Sequence, residues 1–243
     1  MSSKQDDLKE TNTEARFEFK KEEKSAFKSE KGLTEETVRV ISEDKDEPEW
    51  MLERRLRALE QFQEMPMPTD WPGQPDLSEV DVDEIVPYIR PDVDVRAGVD
   101  DWTELPDDIK DTFDKLGIPE AEKNALSGVG AQYESEIVYQ NMQERWEEKG
   151  VIFCDMDKAV QEHEELVREH FMTKCVPPSD NKFAALHGAI WSGGSFVYIP
   201  ENTTVDMPVQ AYFRMNSEGM GQFEHTLIIA EEGAEAHYIE GCS

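Results

Sequence analysis

The sequence predicts an α+β chain, with a helical N-terminal region followed by a run of short strands. Three observations carry this reading. Trp50, Leu52, Leu56, Leu59 and Phe62 recur at near-helical spacing. Pro66, Pro68, Pro72, Pro75, Pro87 and Pro91 then interrupt any regular element. After Gly150 the segments SFVYIP, VQAYFRMN, QFEHTLIIA and AHYIEGC read as strands separated by turns rich in Gly, Asn, Pro and Glu. Comparable points on successive strands lie roughly 11 to 17 residues apart, short for a crossover through a helix. Two architectures fit, a β-sandwich or a coiled solenoid in which each turn stacks on the last.

The elements follow in order. Residues 1–33 are polar and mixed in charge, and read as a disordered tail. Residues 34–149 form the helical region. Thr34 is suited to cap a helix through Ile41, with Glu35 and Glu36 in its first turn, although Thr37 leaves the capping box incomplete. A second helix runs from Pro48 to Glu64. Residues 65–104 are a proline-rich, acidic connector. A short helix is expected over Asp107–Leu116, stopped by Gly117 and Pro119. A longer one is expected over Ser135–Lys149, with Ile137, Val138, Met142 and Trp146 inward and Gly150 as its cap. Residues 150–243 begin a second domain. VIFC is a buried strand, DKAVQEHEELVREHF an amphipathic helix, and KFAALHGAI a helix of small residues able to pack against a sheet. A solenoid of three or four strands exposes an open end, and AHYIEGC carries no polar cap. The sequence therefore reads as the front part of a longer chain.

Asp and Glu number 55 against 25 Lys and Arg, a net charge of −30 spread along the whole length. Such a surface repels itself at ordinary ionic strength, whereas molar salt shortens the Debye length to about 3 Å. A salt-rich, halophilic cytosol is expected, and phosphate-rich polymers and anionic lipid are disfavoured as partners. The alternative is an acidic patch for a basic partner, but the charge is dispersed rather than clustered. No run approaches a membrane span and no signal peptide opens the chain, so a cytoplasmic protein is expected. Cys154, Cys175 and Cys242 are an odd set without paired spacing, which argues against a disulfide framework.

Few motifs carry chemistry. SGGS lacks the spacing and lysine of a phosphate-binding loop, and neither CxxC nor HExxH occurs. His163 and His170 lie seven apart, on one face of a continuous helix, and read as part of a solvated surface rather than a metal site. Cys154 reads as a buried thiol and Cys175 as structural. Strand alternation places Tyr238, Glu240 and Cys242 on one face; Arg214 shares a face with Asn216, and Glu224 with Thr226. Stacked in parallel, these strands would bring Arg214, Glu224 and Glu240 or Cys242 into a polar ladder, where an arginine near the thiol would lower its pKa. The bland reading is a small, inert core cysteine. An enzyme using Glu224 and His225 as acid and base is disfavoured, because adjacent strand residues face opposite ways.

Several long stretches, in order, resemble the SufB family of iron–sulfur cluster assembly scaffolds. They are DEPEWMLERRLRALEQF, QYESEIVYQNMQERWEEKGVIFCDMDKAVQEHEELVREHF, VPPSDNKFAALHGAIWSGGSFVYIP and VQAYFRMNSEGMGQFEHTLIIAEEGAEAHYIEGCS. The resemblance runs from about Gly32 to Ser243 and is weakest in the connector. It implies a helical region followed by the start of a right-handed parallel β-helix near Val151, here truncated, with roughly as much protein again after EGCS. It implies that Cys242 is the sulfur acceptor that takes persulfide sulfur from a cysteine desulfurase system. Arg214, Asn216 and Glu224 match polar positions along the sulfur path. The implied partners are a SufC-type ABC ATPase and a SufD-type paralogue, whose docking region and cluster ligands would lie beyond Ser243. An iron–sulfur cluster would be held only transiently by the full-length scaffold and not by this piece, which would not itself be an enzyme. Cys175 matches no family role.

Overall fold

A computed structural model describes residues 25–68, 77, 80–92, 102–107, 109–111 and 126–242. Most of the predicted tail and much of the connector lie outside them, as does the greater part of the Asp107–Leu116 helix, of which Asp107 and residues 109–111 are helical. Residues 25–33 are not tail: Ser25–Lys28 form strand β1, antiparallel to β2 at Ile89–Pro91 inside the connector.

Thr34 caps helix α1 (Glu35–Asp44), its hydroxyl accepting from the Thr37 N–H at 3.1 Å. Helix α2 spans Glu49–Glu64 after Pro48, and prolines at 66 and 68 prevent its continuation. Its buried face differs from the predicted stripe. Met51, Arg55, Ala58 and Leu59 point inward, while Leu52, Leu56 and Phe62 are only partly covered. Arg55 can be fully buried because Glu47 meets it in a two-pronged ion pair, with Nε–Oε2 at 2.7 Å and Nη2–Oε1 at 2.6 Å.

The predicted Ser135–Lys149 helix is instead a β-hairpin and one short helical turn. Strand β3 (Gly128–Tyr133) pairs antiparallel with β4 (Glu136–Met142), and only Glu144–Glu147, α3, is helical. Glu134 occupies the tight turn with φ of 55°, conformational space that propensity does not assign to glutamate. Ile137, Val138 and Tyr139 are all buried, so both strand faces are apolar and the spacing imitates a helix. Gly128 is needed in β3, since a Cβ there would lie 2.7 Å from the Phe153 ring and 2.8 Å from the Met142 sulfur.

Strand β5 (Ile152–Asp155) leads into helices α4 (Met156–Glu162) and α5 (Glu164–His170). The single helix predicted here breaks at His163, whose ring stacks on Phe196 at 5.7 Å, so His163 and His170 do not share a helix face. Helix α6 (Lys182–Ile190) packs along α2, and its alanines and glycine permit the close approach expected of small residues.

Strands β6 (Ser195–Ile199), β7 (Val209–Arg214), β8 (Leu227–Ala230) and β9 (Tyr238–Cys242) follow. Successive strands do not pair with one another. β6 pairs with β8 and β7 with β9, both parallel, so each pass of the chain adds one strand to each of two sheets. The sheet orders are β4-β3-β7-β9 and β5-β6-β8, with β4 and β5 the antiparallel members. A sandwich of antiparallel neighbours is therefore excluded for β6 to β9, and the architecture is mixed α/β with parallel pairing of alternate strands. Among the described residues no helix is long and apolar enough to cross a membrane.

The Arg55–Glu47 pair joins this platform to the helices. Arg55 also donates to the Ala189 carbonyl at 3.2 Å and lies 4.6 Å from the centroid of the fully buried Trp191. Removing one partner of such a pair strands a buried charge, at a cost of about 3–5 kcal/mol. Glu47→Ala is expected to destabilise the fold by that amount in chemical denaturation. Replacing both residues by apolar ones of similar volume should recover most of the loss.

Candidate functional site

Cys242 lies at the end of β9, opposite Phe213 of β7. Alternation holds on this strand: Tyr238, Glu240 and Cys242 project together, and their side chains meet. The Cys242 Sγ is 3.9 Å from Glu240 Oε1 and 3.9 Å from Glu224 Oε1. Glu240 is held in place through its other oxygen, which accepts from the Tyr238 and Thr226 hydroxyls, each at 3.0 Å. Tyr238 in turn reaches the Ser195 hydroxyl at 3.0 Å, tying the cluster to β6. The thiol, Glu224 and Glu240 have ligating atoms within 4.8 Å of one another.

The electrostatics differ from those expected. The Cys242 thiol is pushed up to about 11, first by burial and then by the two carboxylates. Glu224 is raised as well, mainly by burial and further by Glu240. The thiol is therefore protonated at neutral pH, with two hydrogen-bond acceptors beside it. The arginine expected to lower its pKa belongs elsewhere. Phe213, not Arg214, is in register with Cys242, and alternation turns Arg214 to the other face.

Arg214 is 4% exposed and its guanidinium responds to burial, then to Tyr133 and Glu134. Glu134 organises this second cluster. Its N–H donates to the Arg214 carbonyl at 2.8 Å, and its carboxylate accepts from the Asn216 N–H at 3.3 Å and the Ser217 hydroxyl at 2.8 Å. The predicted ladder is thus two groups, with Arg214 and Asn216 around Glu134, and Glu224 with Glu240 around Cys242. Glu134 and Ser217 were not singled out in the sequence. The only signal was a two-residue gap between the runs VGAQY and EIVYQ, filled by residues that do not mark a turn.

The other thiols are apart from both groups. Cys154 is buried and its pKa is raised by burial and by Asp155, which fits an inert core thiol. Cys175 is exposed, so it contributes no core packing. SGGS is a turn, as expected: a Cβ on Gly194 would lie 2.2 Å from the His225 carbonyl oxygen, and its N–H donates to Gln132 at 2.9 Å.

Replacing either carboxylate by its neutral amide removes a charge that disfavours the thiolate. Glu240→Gln should speed alkylation of Cys242 at pH 8 and shift the midpoint of its pH profile downward from about 11. Peptide-resolved mass spectrometry of alkylated protein measures this, with the buried Cys154 as internal reference.

Comparison with known proteins joins these observations. Residues 101–211 match the family model described as SufBD protein N-terminal region. The chain is 57% identical over 227 residues to an iron–sulfur cluster assembly SufBD family protein of Staphylococcus saprophyticus, covering 93% of this chain and 47% of that protein. It is 57% identical over 228 residues to proteins of the same description in Staphylococcus haemolyticus and Staphylococcus aureus, covering 94% of this chain and 48% of each. The chain spans about half the length of the curated relatives it matches. The segment from β3 to the middle of β7 therefore lies within the stretch that matches this family model, and nearly the whole chain is similar to proteins named for iron–sulfur cluster assembly.

Proposed function

We propose that this chain is the sulfur-accepting portion of a SufB-type scaffold for iron–sulfur cluster assembly, with Cys242 as the acceptor. The observation that carries the reading is the accessible Cys242 thiol held between two carboxylates on a stacked parallel strand. The likeness to SufBD family proteins supplies the pathway. In this reading the parallel pairing of β6 with β8 and β7 with β9 continues as a right-handed β-helix. Arg214 and Asn216, set by Glu134, line a later part of the sulfur path.

The thiol environment dictates the chemistry. A thiol pushed up to about 11 needs a base. Glu224, itself raised by burial, takes the Cys242 proton through the contact at 3.9 Å. The thiolate attacks the terminal sulfur of a donor persulfide. A new S–S bond forms at Cys242, the donor S–S bond breaks, and the departing donor thiolate recovers the proton. Sulfur oxidation states are conserved overall, so no external oxidant or reductant is required. The donor is a cysteine desulfurase system. ATP hydrolysis falls to a SufC-type ATPase and pairing to a SufD-type paralogue. The cluster is cargo, and the chain itself is no enzyme. Its compartment is a salt-adapted cytoplasm.

One observation favours a second reading. The raised thiol pKa is what an inert cysteine in an interaction solenoid would also show. Incubation with a cysteine desulfurase and cysteine in high salt separates the two. Added sulfur on Cys242 by mass spectrometry, absent in Cys242→Ala and slowed in Glu224→Gln, is expected for the relay. A folded protein that acquires no sulfur at Cys242 would be the interaction module.

The charge of −30 makes a second prediction. Self-repulsion weakens the compact state until salt screens it. The melting temperature should rise steeply as KCl increases from 0.1 M toward about 1 M, where the Debye length falls to about 3 Å. A melting temperature independent of KCl would remove the salt-adaptation reading.

A further inference from the structure

Away from both polar clusters, a cavity of about 280 Å³ opens between α2 and the loop joining α5 to α6. Arg54, Arg57 and Gln61 of α2 line one side, and Phe171, Pro178 and Ser179 the other. No acidic side chain lines it, in a chain with 55 acidic residues against 25 basic ones. Arg54 donates to the Phe171 carbonyl at 2.9 Å and the Arg168 carbonyl at 2.6 Å, and Arg57 donates to the Glu53 carbonyl at 3.3 Å. Among the described residues neither arginine has a carboxylate partner. Arg54 and Arg168 both lie over the Trp50 ring, at 5.1 and 5.2 Å. The Arg54 guanidinium is lowered by burial and then by the charges of Arg168 and Arg57. Arg168 pairs with Glu164 at 2.8 Å, which leaves Arg54 and Arg57 as the neighbouring like charges that no carboxylate meets among the described residues. The Gln61 Oε1 is buried and lacks a hydrogen-bond partner, so its amide can turn to present its N–H groups without losing a bond.

We propose that this cavity binds the phosphoryl group of a small phosphate ester with an apolar body. A guanidinium has five N–H donors, so Arg54 keeps three and Arg57 four for a ligand. Two neighbouring guanidiniums call for a dianion, which a phosphate monoester supplies near neutral pH together with three acceptor oxygens. Ser179 adds a hydroxyl to the lining, and Pro178 offers an apolar surface to the organic part. This site is independent of sulfur transfer, so its test stands whatever Cys242 does.

Calorimetric titration of the full chain with phenyl phosphate, inorganic phosphate and glutarate tests the assignment. Saturable binding is expected with phenyl phosphate, weaker binding with inorganic phosphate, and weaker still with glutarate. Arg57→Ala, at an exposed position, should weaken phenyl phosphate about tenfold or more, as for the loss of one charge-assisted hydrogen bond. Arg54→Lys should weaken it similarly while keeping the charge, because the fork geometry is lost. Arg39→Ala, a surface residue paired with Glu35 on α1, should change nothing. Circular dichroism of each variant confirms the fold. The absence of saturable binding would overturn the proposal, as would binding indifferent to Arg57→Ala or equally tight for glutarate.

Discussion

The buried pair of Arg55 and Glu47 is the constraint on which the arrangement of helices and sheets depends. A guanidinium with no solvent exposure is tolerable only if its donors are met, and three are, by Glu47 twice and by the Ala189 carbonyl. That requirement fixes α2 against the C-terminal end of α6 and presses Arg55 onto Trp191. Trp191 in turn packs on Phe171 at 5.0 Å and marks the point where helix gives way to the SGGS turn and then β6. The start of the strand stack is thus positioned by a charge in the core rather than by apolar contact alone.

A second buried cation performs the same service on the other side. Lys45, at the end of α1, pairs with Asp157 of α4 and with Glu136 of β4, and donates to the Ser135 carbonyl. Burial by itself would lower its pKa, but Asp157 and Glu136 more than offset this and hold it charged. Glu136 also accepts from the Tyr88 hydroxyl, so the hairpin, the first helix and the connector meet at one carboxylate. The hairpin turn that places Glu136 also places Glu134, two residues earlier, against Arg214 and Ser217. One unusual backbone conformation at Glu134 therefore serves both the helical region and the polar group behind the thiol.

The Cys242 environment changes the kind of chemistry that the strand stack can support. An arginine beside the sulfur would give a standing thiolate, reactive toward any electrophile. Two carboxylates give instead a protonated thiol with bases in contact, reactive only when a proton can move as the sulfur is attacked. For a thiol exposed on the last described strand, this arrangement limits stray oxidation, which follows thiolate character. It also keeps the two carboxylates beside the sulfur, Glu224 and Glu240, distinct from Arg214, whose charge responds to Tyr133 and Glu134.

The sequence by itself determined the acidic surface, the Thr34 cap, the span of α2, the four strands after Ser195 and the common face of Tyr238, Glu240 and Cys242. Each follows from local rules: charge count, capping chemistry, periodicity of 3.6 or 2, and alternation. The tertiary structure decided the rest. It turned 128–142 into a hairpin, because strands buried on both faces show the same apolar run as a helix. It paired β6 with β8 and β7 with β9, a choice between distant segments that alternation cannot make. It buried Arg55, since only Glu47 brought alongside makes that position habitable. It sent Arg214 to Glu134 and left Cys242 to the glutamates, because the register of β7 against β9 sets Phe213, one residue earlier, opposite the thiol. Alternation states which side chains share a strand face; only the pairing of distant strands states what that face meets.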